Sequence, residues 1–258
     1  MARFPTVRTR RPHGLSAPLV VSLTSYPKRY PTLVATLKSV LDQDMAADRT
    51  ILWIGHDDLD DLPAEVRALE AHGLEIIGCD DLRSYKKLIP ALETLPPVYL
   101  VTADDDVYYP PDWLGTLVDA LPNARTVTSG RAHLVFLEAD GTARPYARWE
   151  LGTRRREGHG ARTRLFPTGV GGVLYPPGAF DPRVTDRAAF TELCPNGDDI
   201  WFFWMARLAG TSHVGATRPC PLVPWAATQD VALYHDNLVT GGNDRQIRAM
   251  EARFGSVP

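Results

Sequence analysis

"APLVVSLTSYPKRYPTLVATLKSVLDQ", residues 17–43, sets a β-branched apolar run of strand length ahead of a segment with Leu33, Val34, Leu37, Val40 and Leu41 at helical spacing. A strand that feeds an amphipathic helix opens a βα unit. The pattern continues: "RTILWIG" (49–55) reads as a second strand, "LPAEVRALEAHG" (62–73) as a second helix closed by Gly73, and "LEIIGC" (74–79) as a third strand. "YKKLIPALETL" (85–95) is a short helical stretch and "PVYLVTA" (97–103) a fourth strand. Strands alternating with helices predict an α/β fold, a mostly parallel, Rossmann-like sheet with helices on both faces.

Beyond residue 120 the pattern loosens. "ARTVTSG" (124–130), "AHLVFLEADG" (132–141) and "ARPYARWELG" (143–152) read as shorter strands, and the Arg-rich piece from 153 to 164 has no periodicity. A helix returns in "DDIWFFWMARLAG" (198–210), with Ile200, Phe203, Trp204 and Leu208 on one face, and another in "GGNDRQIRAMEARFG" (241–255). The expected organisation is a loose basic arm over 1–17 and one domain over 18–258, with an α/β first half (18–120) and a mixed α/β second half (121–258).

The chain has 258 residues, 44% of them hydrophobic, enough for a substantial core. A net charge of -3 gives no global case for nucleic acid. Cys79, Cys194 and Cys220 are odd in number and lack metal-ligand spacing, so neither a disulfide framework nor a zinc site is expected. There is no signal-peptide pattern and no membrane-spanning run. The expectation is a cytoplasmic protein with at most peripheral membrane contact.

The fourth strand runs into "DDD", Asp104, Asp105 and Asp106. Ligands of open α/β sheets bind outside the carboxyl ends of the strands. Three turn-forming surface residues are one account of this triplet. Adjacent like charges are costly unless cations or strong donors offset them, and hard oxygens suit Mn²⁺ or Mg²⁺, held by one or two carboxylates and completed by water and substrate phosphates. A second acidic pair, Asp198 and Asp199, opens a helix, where N-capping competes with a catalytic role. Between the two lies "FPTGVGGVLYPPG" (166–178), in which Gly169, Gly171 and Gly172 allow close backbone approach to a ligand; a structural turn is the alternative. Trp149, Trp201 and Trp204 could stack on the rings of a ligand, though the spacing of Trp204 also fits a core position.

Residues 20–55, "VVSLTSYPKRYPTLVATLKSVLDQDMAADRTILWIG", resemble the opening of family 2-like glycosyltransferases of the GT-A fold. "ADDDVYYPPDWL" resembles that superfamily's DxD element, and "NGDDIWFFWMARLAG" its later acidic helix start. The resemblance implies a bacterial-type, nucleotide-sugar-dependent transferase acting on a carbohydrate or lipid-linked hydroxyl, in polysaccharide or glycolipid synthesis. It assigns donor and metal contacts to Asp104 and Asp106, with Asp105 between them, and base and ribose contacts to Thr24, Ser25, Tyr26 and Arg29. It gives the uracil-reading role to Asp57 or Asp58, although the usual "VDDGS" is absent, and the diphosphate to Lys87 or Lys86. Gly171 and Gly172 would floor the donor pocket. His235 would be a further metal ligand or a structural histidine. In inverting members the second acid is the general base, which points to Asp199, with Asp198 orienting the acceptor or base. Arg154, Arg155 and Arg156 would close over the diphosphate or an anionic acceptor. A UDP-linked donor and Mn²⁺ or Mg²⁺ complete the expectation; retaining transfer and a non-catalytic binding module are the alternatives.

Overall fold

The computed structural model describes residues 4–6, 9–158, 162–216, 218, 220, 223–225 and 241–256. Its centre is a seven-stranded sheet. β1 (Leu19–Thr24), α1 (Tyr30–Leu41), β2 (Arg49–Gly55), α2 (Ala64–Arg67), β3 (Leu74–Cys79), α3 (Ile89–Thr94) and β4 (Tyr99–Ala103) follow the alternation read from the sequence. β5 (Val107–Tyr108), α4 (Trp113–Asp119), β6 (Thr126–Ser129), β7 (Ala132–Phe136), β8 (Thr163–Pro167), β9 (Val173–Tyr175), α5 (Arg187–Leu193), α6 (Asp198–Leu208), β10 (Ser212–Gly215), β11 (Val223–Pro224) and α7 (Gly242–Phe254) complete it.

The strand order is β10-β6-β9-β4-β1-β2-β3. β9 runs antiparallel to both of its neighbours, β4 and β6, and every other pairing is parallel. Two small antiparallel sheets, β5 with β11 and β7 with β8, stand apart from it.

Side chains alternate across the strands, and here both faces are covered. Val20, Ile51 and Leu100 enter one core cluster with α6 residues Ile200, Phe203 and Trp204, whereas Val21, Leu52 and Val101 enter the other with α1 residues Leu33, Leu37, Val40 and Leu41. Burial on both sides is why the strands read as unbroken apolar runs.

Several expectations need correction. "ARPYARWELG" is not a strand: it carries a 3₁₀ turn at Tyr146–Arg148 and touches β7 and the residue after it through the single bridges Leu134↔Glu150 and Leu137↔Ala143. Pro145 has no N–H for a ladder, Gly152 sits at φ 62°, and the Trp149 indole folds back to donate to the Arg144 carbonyl at 2.8 Å. The second helix is α-helical only over α2, then tightens to 3₁₀ over Ala68–His72 before Gly73 ends it at φ 91°. β8 takes the end of the Arg-rich piece. The expected loose arm is tied down where described: Arg11 bridges to Met45 and forms a bidentate pair with Asp119, and Arg10 Nη2 donates to the Leu41 carbonyl at 2.6 Å. The three cysteines are free thiols. Among the described residues, no helix is long and apolar enough to cross a membrane.

Candidate active site

The acidic triplet leaves the sheet at the carboxyl end of β4, beside the end of β1. Its turn is held from beneath. The buried Thr36 hydroxyl on α1 reaches the carbonyls of Asp105 and Val107 at 2.9 and 3.0 Å, and the Asp104 N–H donates to Tyr109 Oη at 2.8 Å. With the backbone held this way, the three carboxylates each meet a separate partner. Asp104 Oδ1 lies 3.2 Å from Lys87 Nζ, Asp105 Oδ2 accepts from Ser25 Oγ at 2.5 Å, and Asp106 Oδ2 pairs with Arg29 Nη1 at 2.7 Å. Burial pushes the Asp105 carboxyl up to about 6, against the Ser25 hydrogen bond, and Asp106 is also raised by burial and the Asp104 charge.

Asp198 and Asp199 occupy the first turn of α6, whose N-cap is Gly197. Neither side chain caps the helix. Asp198 Oδ2 turns to Lys87 Nζ at 2.9 Å, and Asp199 accepts the Gly169 N–H with Oδ1 at 3.1 Å and Oδ2 at 3.0 Å. Lys87, only 6% exposed, thus joins two acidic motifs distant in sequence. Burial works against its charge, but Asp104, Asp198 and Asp199 outweigh that and hold its pKa well above the ordinary lysine value. The Asp199 carboxyl is raised as well: burial, then the Asp198 charge, lift it well above the usual range.

These groups open into one cavity of about 1000 Å³. Thr24, Ser25, Tyr26, Arg29, Lys87, Asp104, Asp105, Asp106, Asp198 and Asp199 all line it, so most of the residues expected from sequence come together. Lys86 lines it too, but its ammonium is committed to Asp81 at 2.7 Å. Of the pair Asp57 and Asp58, Asp58 lines the cavity and Asp57 does not; Asp57 is exposed in the turn that follows β2.

Gly171 and Gly172 are not part of the lining. The Gly171 carbonyl accepts from Trp113 Nε1 at 2.8 Å, and a Cβ on Gly172, at φ 81°, would meet the Trp113 ring at 2.5 Å. Gly169 is the glycine beside the acids. Trp149, Trp201 and Trp204 are 6%, 0% and 0% exposed and belong to the core, so none presents a ring to a sugar. Arg154, Arg155 and Arg156 do not line the cavity; Arg155 pairs with Glu150 at 3.5 Å and Arg156 Nε donates to the Gly215 carbonyl at 3.4 Å. His235 lies outside the described residues.

Sequence reasoning missed the wall built by β7, β8 and the turn at 146–148. Arg131, His133, Tyr146, Phe166 and Thr168 line the cavity from there. They share no motif and come from separate segments. Only the short interval between Gly130 and the β7 run marks Arg131 as a residue at a strand entrance.

No protein-family model and no curated protein matches the chain. Solved structures do. The 4-diphosphocytidyl-2C-methyl-D-erythritol synthase of Anaerococcus prevotii aligns over 86% of this chain and 96% of its own, at 14% identity and TM-score 0.50. The fold is GT-A-like. S. aureus TarS, residues 1–349, aligns over 78% of this chain and 58% of its own at 14% identity and TM-score 0.48. A Mycobacterium tuberculosis glucosyl-3-phosphoglycerate synthase, solved with Mn²⁺, uridine diphosphate and phosphoglyceric acid, aligns over 44% of this chain and 43% of its own at 19% identity and TM-score 0.35. Likeness this remote bears on the fold alone.

Proposed function

We propose that the chain is a nucleotide-sugar-dependent glycosyltransferase that moves a sugar, from a UDP-linked donor, to a hydroxyl acceptor with inversion. The observation that carries this reading is the Lys87 ammonium at 3.2 Å from Asp104 and 2.9 Å from Asp198, which sets a donor-type acidic turn and a base-type acidic pair side by side in one cavity.

Two carboxylates, Asp104 and Asp106, would hold a divalent cation. Each spends one oxygen on a protein cation, Asp104 Oδ1 on Lys87 and Asp106 Oδ2 on Arg29. Among the described residues no group of three or more His, Cys, Asp or Glu is placed to hold an ion. That donor set fits Mn²⁺ or Mg²⁺ completed by water and substrate phosphates, not an ion caged by protein alone. Bound there, the cation would offset the charge of a leaving diphosphate.

The chain's own residues supply the rest. Asp199, oriented at both oxygens by the Gly169 N–H, acts as general base on the acceptor hydroxyl as it attacks the anomeric carbon. Asp198 holds Lys87, whose buried positive charge faces the departing diphosphate. Tyr26 and Asp58 border the nucleoside. The acceptor enters along the β7–β8 wall.

Nucleotidyl transfer is the second reading, because a cation on Asp104 and Asp106 beside Lys87 would serve a nucleoside triphosphate as well as a nucleotide-sugar. Product analysis separates the two. With nucleotide-sugars and Mn²⁺, glycosyl transfer releases nucleoside diphosphate, whereas nucleotidyl transfer from a nucleoside triphosphate and a sugar phosphate releases pyrophosphate. Pyrophosphate release with no diphosphate would overturn the glycosyl-transfer reading.

A further inference from the structure

Five Lys and Arg side chains line the cavity, and three of them pair with a carboxylate. Arg29 pairs with Asp106, Lys86 with Asp81, and Lys87 with Asp104 and Asp198. Arg83 forms no ion pair among the described residues, but it is exposed, and its guanidinium donates to Asn196 Oδ1 at 3.0 Å. Arg131 differs in being half-buried. Among the described residues it too forms no ion pair; its one side-chain hydrogen bond runs from Nη1 to the neutral Thr168 Oγ1 at 3.1 Å.

A guanidinium carries five N–H donors in a planar fork that matches a carboxylate or a phosphate. The fork here is half-buried and steered by Thr168, the residue before Gly169, whose N–H holds the proposed base Asp199. Around it stand Tyr146, Phe166 and His133, which form an edge-to-face and a stacked ring contact through His133. A half-buried positive charge with no counter-ion among the described residues, on an aromatic wall next to a candidate base, is complementary to an anionic ring compound.

We propose that Arg131 recognises an oxyanion, a carboxylate or a phosphate, on the sugar acceptor. The inference rests on the glycosyl-transfer reading and narrows its acceptor to acidic or phosphorylated sugars. Arg131 is therefore a specificity-determining residue and Thr168 a positioning residue for it.

Ligand-observed NMR on the full chain, with and without uridine diphosphate, tests this with three probes: glucuronate, glucose 6-phosphate and glucose. We expect one or both acidic probes to bind and glucose to bind about 10- to 100-fold more weakly, the range for a charged hydrogen bond. Binding by glucuronate alone or by glucose 6-phosphate alone says which oxyanion is recognised. Arg131→Met should remove the preference; Arg131→Lys, which keeps the charge without the fork, should retain part of it and serves if the first variant does not fold. Equal binding of all three probes, failure of both acids to bind, or an unchanged preference in Arg131→Met overturns the inference. Failure of uridine diphosphate to bind counts instead against the donor reading, and the probe result on the free protein still decides the role of Arg131.

Discussion

The backbone N–H of Gly169 points between the two carboxylate oxygens of Asp199, 3.1 Å from one and 3.0 Å from the other. A side chain at that position would crowd the tip of Lys87. A Cβ at this position would stand 2.6 Å from Lys87 Nζ and 3.3 Å from both Asp104 Oδ1 and Asp199 Oδ1. Gly169→Ala must therefore push the ammonium off its carboxylates, and we expect transfer to fall about 10- to 1000-fold, the scale of one lost or misplaced catalytic contact. Steady-state kinetics beside a melting curve read it; full activity in the alanine variant would remove Gly169 from the machinery.

Lys87→Met leaves Asp104, Asp198 and Asp199 facing one another without a counter-charge. Removing one partner of a buried pair costs about 3–5 kcal/mol. Asp199, already raised by burial and the Asp198 charge, then loses the opposing Lys87 charge, so the variant is less stable as pH rises and recovers as Asp199 protonates. Urea melts at about pH 5 and about pH 8 should show the larger deficit at the higher value. Adding Asp198→Asn should restore stability without restoring turnover. A deficit independent of pH would contradict the charge account.

Gly172 tests the boundary between site and core. Its φ of 81° and the Trp113 ring, 2.5 Å from where a Cβ would sit, make Gly172→Ala a packing lesion. We expect a stability loss of about 1–3 kcal/mol with nucleotide affinity unchanged in a thermal-shift titration. A selective loss of nucleotide binding would return Gly172 to the donor pocket.

The first half of the fold was legible because burial on both faces writes strands as continuous apolar runs, and α1 declares itself through Leu33, Leu37, Val40 and Leu41. The acids were legible because carboxylates cluster only where something offsets them. What the sequence hid is nonlocal. β9 is three residues long within a Gly- and Pro-rich stretch, and its antiparallel place between β4 and β6 follows from tertiary pairing. Gly171 and Gly172 read like Gly169, since flexibility alone does not say whether a ligand or an indole comes close. Arg131 carries no motif, and its meaning comes from a half-buried charge that forms no ion pair among the described residues, which only geometry reveals.

If Asp199 is the base, its protonation sets the acid limb of the pH profile. Burial and Asp198 raise its pKa above the ordinary carboxylate value, while Lys87 and the Gly169 N–H oppose them. Activity requires the carboxylate, so kcat/KM should rise with pH through that raised pKa. Asp198→Asn removes the repulsion and frees Lys87 to favour the charged form; the limb should move to lower pH. An unmoved limb would assign it to another group.

His133 supplies a stability effect separable from catalysis. Burial, then the Arg131 charge, lower its pKa from 6.5 to about 4, and Nδ1 accepts the Gly152 N–H at 2.9 Å. The folded state thus binds fewer protons than the unfolded chain between these values. Its contribution is fully present above the unfolded pKa of 6.5 and drains away as pH falls toward about 4, about 3 kcal/mol in all. Asp105, raised to about 6, works in the opposite sense over the same window, so the wild-type curve alone is ambiguous. His133→Asn isolates the term, because the amide oxygen can still accept from Gly152 while nothing titrates. Subtracting the two stability curves should give a difference that shrinks in the variant's favour as pH drops, and a flat difference would show that His133 is not held neutral.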